Sequence, residues 1–191
     1  MPQKYIIALD AMGGDFGPSV VIPAADLAAK DLPDVGFLLV GDETRIRPFL
    51  QNAPHAAKVS EIIHTDKVIS NDTKPSVALR TGKESSLRLA IDAVREGRAH
   101  GVVSGGNTGA LMATAKMVLK TLPGIHRPAI ASVFPTLHGD TVMLDLGANL
   151  QCDAEILVQF AVLGAVYARI LNNVPQPTVG LLNVGSVTER P

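Results

Sequence analysis

KYIIALDAMGGDFGP, residues 4–18, is the stretch whose reading decides the architecture. The run from Tyr5 to Leu9 is apolar, has the length of a buried strand, and ends in Asp10. A glycine-rich turn occupies residues 12–18, and a helical pattern continues from it to Lys30. The same alternation then repeats. Residues 35–40 form a second apolar run closed by Gly41-Asp42, and Asp42 is placed to cap a helix over 43–51. A weaker strand at 59–64 precedes helices at 75–80 and 85–95, a strand at 101–104, and a helix at 108–122 stopped by Pro123-Gly124. Strands at 129–134 and 141–146 flank a short turn carrying His138-Gly139-Asp140, the pattern of an antiparallel hairpin. A long helix at 154–171 and a last strand at 179–184 complete the reading.

Strands alternating with helices predict a mostly parallel sheet covered on both faces, a doubly wound three-layer αβα fold of the α/β class. The expectation is one α/β domain over residues 1–191. The chain stops at Pro191 directly after the last predicted strand, where this architecture places another helix, so the domain is expected to be incomplete at its C-terminus.

Composition narrows the function classes. Of 191 residues, 47% are hydrophobic and 18% charged, which supplies a core and excludes a disordered chain. Seventeen Lys and Arg against eighteen Asp and Glu leave no basic field for nucleic acid. Aromatic residues are 4% and Trp is absent, so base-stacking platforms are not expected. The single cysteine, Cys152, leaves no internal disulfide and no cysteine-rich zinc site. The first apolar run is short for a signal peptide, and the longest uninterrupted apolar or glycine stretch, residues 160–168, is short for a bilayer span. A soluble, cytoplasmic protein is the expectation.

In an open α/β sheet, ligands sit outside the carboxyl ends of the strands. Four such ends share one style. The first carries Asp10, Gly13, Gly14 and Asp15; the second Ser104, Gly105, Gly106, Asn107, Thr108 and Gly109; the third Asp145, Gly147 and Asn149; the fourth Asn183 and Gly185. Glycines allow close backbone approach, and small polar side chains suit a polar ligand; the plainer alternative is that Gly and Asn only make turns. The second loop is the best anion candidate, because its glycines expose N–H groups and a helix begins at Thr108. It has Walker A spacing, yet Asn107 stands where the lysine must be, which excludes a P-loop nucleotidase. Met12 occupies the first glycine position of the dinucleotide fingerprint, and no G-x-S-x-G elbow surrounds Ser104.

Asp10, Asp15 and Asp145 could bind a metal, act as bases, or cap helices, and capping is the commoner fate for Asp15. Residues 74–86 gather Lys74, Arg80 and Lys83 with Ser85 and Ser86, a clamp for phosphate or an acidic partner, or else a solvated helix face with a serine cap. The five histidines are scattered without metal-ligand spacing, so no metal is expected, and Cys152 reads as an inert thiol. Residues 154–171 are apolar almost all round, with Glu155, Gln159 and Arg169 as exceptions, as in a central or interface helix.

Several segments together resemble one family. They are LDAMGGDFGP (9–18), VGDE (40–43), KPSVALRTGKESS (74–86), VVSGGNTGALM (102–112), RPAIA (127–131), LDLGAN (144–149), QFAVLGAVYA (159–168) and GLLNVG (180–185). In this order they resemble the PlsX phosphate acyltransferases. The resemblance implies transfer of a fatty acyl group from acyl-(acyl carrier protein) to inorganic phosphate, giving an acyl phosphate for phospholipid synthesis, with no cofactor. It also implies a fold similar to isopropylmalate dehydrogenase and phosphotransacetylase, a homodimer, and loose association with the cytoplasmic membrane. In that reading Asp10, Asp145, Asn149 and Asn183 are the candidates for the chemistry. The glycine loops with Asp15 bind phosphate, and the cationic segment meets phosphate or the carrier protein. The family usually continues after its last glycine with an acidic pair and Lys-Gly, where this chain has Ser186-Val187-Thr188-Glu189-Arg190-Pro191. The rival readings are a dehydrogenase or acetyl-type phosphotransferase on the same sheet, and a dimerising module without catalysis.

Overall fold

Parallel strands must be joined by crossovers, and the described residues show helices in that place. A computed structural model describes residues 4–137, 139–149 and 151–182. The chain divides into two compact units, Met1–Thr121 and Leu122–Pro191. In chain order the first contains β1 (Tyr5–Asp10), α1 (Pro18–Asp31), β2 (Val35–Gly41), α2 (Glu43–Leu50), α3 (Pro54–Val59) and β3 (Ser60–His64). It continues with α4 (Pro75–Thr81), α5 (Ser86–Arg95), β4 (Gly101–Val103) and α6 (Thr108–Leu119). Its strands form one sheet in the order β3-β2-β1-β4, every neighbouring pair parallel.

The twofold period of a strand sorts its side chains onto two faces. Leu9, Phe37 and Leu39 face one way and pack with Ile22, Ala25, Ile46, Ala53 and Ala56 from α1 to α3. Ala8, Leu38 and Val40 face the other way and pack with Ala90, Ala93 and Ala99. A third cluster, Ala78, Leu87, Ile91, Ala110 and Val118, joins α4, α5 and α6. The result is the expected αβα layering, with the middle strands apolar on both faces as buried parallel strands require.

Helix α2 is capped as its sequence predicts: Asp42 accepts hydrogen bonds from the Thr44 N–H and hydroxyl at 2.9 and 2.7 Å. The Thr44 hydroxyl, with the Thr44 and Arg45 backbone N–H groups, holds the Asp42 carboxyl below the usual carboxylate range. Helix α3 is not in the sequence reading. Its Pro54 sits in the first turn, and its cap comes from α1, where Asp26 accepts from His55 and Ala56 N–H at 2.7 and 2.9 Å. Such a cap leaves no local signal. Helix α6 ends at Leu119, before the Pro-Gly stop, because Lys120 turns to φ 65°.

The second unit holds β5 (Ala131–Thr136), β6 (Gly139–Leu144) and α7 (Ala154–Leu171). The hairpin is antiparallel, with Thr136 opposite Gly139, so both strands lie two residues nearer the turn than expected; His138 lies outside the described residues. Asp153 caps α7 by accepting from Ile156 N–H at 2.9 Å. The helix packs on β6, burying Ile156 and Phe160. Of the central or interface helix that its composition suggests, only one side is packed among the described residues: Val158 and Ile170 are 63% and 65% exposed. By length and composition α7 is long and apolar enough to cross a membrane. Residues 179–182 of the expected last strand have no regular structure, and 183 and 184 lie outside the described residues.

Candidate functional site

From β1 the chain moves outward to β2 and β3, then returns to place β4 on the other side of β1. The strand order therefore reverses between β1 and β4, and their carboxyl ends open the crevice where such sheets bind ligands. Both glycine loops of the first unit leave from this point. Asp10, the last residue of β1, is 4% exposed. Its Oδ2 accepts a hydrogen bond from the Ser104 hydroxyl at 2.7 Å, and Ser104 Oγ accepts in turn from Gly106 N–H at 3.1 Å. Asp10 Oδ1 is buried with no partner among the described residues. Gly13 lies directly over this pair. A Cβ there would stand 2.7 Å from Asp10 Oδ2, 2.9 Å from Ser104 Oγ and 3.0 Å from Gly106 N. A Cβ on Gly14, at φ 81°, would stand 3.2 Å from the Gly105 carbonyl oxygen. These glycines let two loops close on each other over a carboxylate.

Asn107 begins α6. Its Oδ1 accepts from Ala110 N–H at 2.9 Å, and its Nδ2 donates to the Asn71 and Thr73 carbonyls at 2.8 Å each and to Ser70 at 3.4 Å. The N–H groups of Thr108 and Gly109 have no acceptor among the described residues. Gly109 backs onto α4, where a Cβ would meet Pro75 Cγ at 2.9 Å. Asp15 does not cap α1: Gly17 holds the cap position with no side-chain hydrogen bond. Asp15 is exposed and accepts instead from Asn71 Nδ2 at 2.9 Å. The segment 70–73 is thus bonded to both glycine loops. Sequence reading did not single out Ser70, Asn71 or Thr73, because their bonds cross 34 to 56 residues and follow no local pattern.

The cationic segment separates into two parts. Lys74, Arg80 and Lys83 are exposed. Ser85 and Ser86 are each 1% exposed, so their hydroxyls face the interior. Ser85 caps α5, accepting from Arg88 N–H at 3.3 Å while donating to the Gly82 carbonyl at 2.7 Å. In the second unit Asp145 follows β6 at φ 28°, an unusual backbone state that Asp tolerates. Its two oxygens accept from Ala148 and Asn149 N–H at 3.2 and 2.8 Å, and Asn149 Nδ2 donates to the Pro128 carbonyl at 3.1 Å. Gly147, at φ 85°, makes the turn between them. Asn183 and Gly185 lie outside the described residues. Among the described residues no three His, Cys, Asp or Glu side chains converge as for a metal. Cavities of about 490 and 370 Å³ are lined by residues such as Glu43, Arg47 and Gln51, and Lys58, Glu61 and Arg98, and include no residue of the glycine loops.

A parallel sheet with paired glycine loops at its switch point defines a doubly wound protein of the α/β class. Residues 5–190 match the family described as "Fatty acid synthesis protein", and the chain belongs to that family, the PlsX family. It is 62% identical over 190 residues to a protein of Rhodospirillum centenum named phosphate acyltransferase, covering 100% of this chain and 54% of the relative. Proteins of the same name from Parvibaculum lavamentivorans and Rhodospirillum rubrum are 56% and 53% identical over 186 residues, covering 97% of this chain and 52% and 53% of the relatives. The chain spans about half the length of these curated relatives.

Proposed function

We propose that the complete protein transfers a fatty acyl group from acyl-(acyl carrier protein) to inorganic phosphate. An oxygen of phosphate attacks the thioester carbonyl carbon, a tetrahedral oxyanion forms and collapses, and the carrier's thiolate leaves. Much of the phosphate is already dianionic at neutral pH, so positioning and oxyanion stabilisation matter more than a strong base. The observation that carries the reading is the meeting of two glycine loops over Asp10 beside the start of α6, in a chain of this family. The N–H groups of Thr108 and Gly109, without an acceptor among the described residues, suit a phosphate, and Gly13 and Gly14 lie against Gly105 and Gly106 beside them. Asp10 is the acidic group of this site. Asp145, Gly147, Asn149, Asn183 and Gly185 are the further residues read as serving the reaction.

Lys74, Arg80 and Lys83 meet the acidic carrier protein or the phosphate, while Ser85 and Ser86 support the helix behind them. The protein works as a homodimer in the cytoplasm with peripheral contact to the inner membrane face, and its two units belong to one α/β domain. The assay is acyl phosphate formation from an acyl-carrier-protein thioester and inorganic phosphate, run on this chain and on one of the relatives' length. Product from the longer chain is the expected result; a folded longer chain that forms none overturns the reading.

A further inference from the structure

One side chain makes two kinds of contact at the start of α6. Asn107 Oδ1 caps the helix through Ala110 N–H, and both Nδ2 hydrogens reach carbonyls of another segment, Asn71 and Thr73 at 2.8 Å each. A flipped amide would set its oxygen against these carbonyls and its NH2 against the Ala110 N–H, so the network fixes the orientation. Capping alone does not call for Asn: Asp and Ser cap equally well, and neither supplies two N–H donors. The bonded segment has a turn at 71–72 and no regular structure of its own. Its other anchors are the Asn71–Asp15 hydrogen bond and a Ser70–Thr73 hydroxyl pair at 2.8 Å. Directly after it come Lys74 and Pro75, which start α4 against Gly109.

We infer that Asn107 is a positioning residue, holding segment 70–73 on both glycine loops and so setting Lys74 beside the start of α6. The inference rests on the proposed reading for the ligand, inorganic phosphate, and deepens it: Lys74 becomes part of the phosphate site only while the Asn107 amide holds its segment.

The test uses Asn107→Asp and Asn107→Ser in the full-length protein, both of which keep a helix cap, with Asn107→Ala as the variant that loses it. Amide hydrogen exchange is followed by mass spectrometry. The Thr73 amide, which donates to the Ser70 carbonyl at 3.1 Å, is expected to exchange about tenfold faster or more in the Asp and Ser variants, while the α6 amides keep their protection. The KM for phosphate is expected to rise about tenfold, with kcat changed by less than about twofold. The Ser variant separates lost positioning from the charge that Asp adds. Wild-type exchange at the Thr73 amide, or wild-type phosphate affinity in both variants, overturns the inference. If the unaltered protein forms no acyl phosphate, the acyl-transfer reading fails by itself. Phosphate affinity is then read by calorimetry, and unaltered affinity in both variants again overturns the inference.

Discussion

Asp10 is buried with one oxygen bonded to Ser104 and the other without a partner among the described residues. A buried charge without full compensation is costly, so its retention is expected to serve the reaction rather than the core. Asp10→Asn keeps an acceptor for the Ser104 hydroxyl and removes the charge. Its melting temperature should match or exceed that of the unaltered protein, while acyl phosphate formation falls by about tenfold or more. Asp10→Ala, which strands the Ser104 hydroxyl, should cost about 1–3 kcal/mol in chemical denaturation. A Gly13→Ala methyl would stand 2.7 Å from Asp10 Oδ2 and 2.9 Å from Ser104 Oγ, so the two loops would have to shift apart. It should destabilise by about 1–3 kcal/mol, read as a lower denaturation midpoint with an unchanged slope. The residue types at these positions are visible in the sequence, but their partners are not. Asp15 suggests a cap and makes none, whereas Asn107 suggests a phosphate contact and spends its whole amide on α6 and segment 70–73.

The elements follow local chemistry where their caps are local. Asp42, Ser85, Asn107 and Asp153 each accept a backbone N–H two or three residues on, and the helices they open begin where their sequences indicate. The Asp42 cap is a carboxylate held below its usual range by the Thr44 hydroxyl and nearby N–H groups. A lowered folded value means that its contribution is complete above the ordinary carboxylate range and lost as pH falls through the folded value. Amide exchange at Thr44, corrected for the intrinsic pH dependence, should therefore lose protection on acidification, and Asp42→Asn should abolish that dependence. Helix α3 breaks the pattern because Asp26 caps it from 29 residues away, and no window of sequence contains both partners. Helix α7 has clear ends and length, while its environment is set by what packs on it: β6 covers Ile156 and Phe160, and Val158, Val162, Val166 and Ile170 remain exposed along one side.

At the scale of the whole molecule, that exposed row is the face expected to pair in the proposed homodimer. Val162→Glu would place a charge in the middle of it. Sedimentation of the full-length protein should then shift towards the monomer, with the helical circular dichroism retained; an unchanged dimer would remove α7 from the interface. The fold class, strand order of appearance and hairpin were legible because strand and helix periods, glycine turns and local caps act within a few residues. The chain's own residues also carried the family resemblance, since eight short motifs kept their order along almost its full length. What only the tertiary structure decided is which loops meet. The return of β4 to the side of β1 opposite β2 brings Ser104 to Asp10, Gly106 to Gly13, and Asn107 to a segment more than 30 residues earlier. Those contacts depend on where crossovers deliver the strand ends, and hydrogen bonds between residues so far apart leave no trace in either one's neighbours.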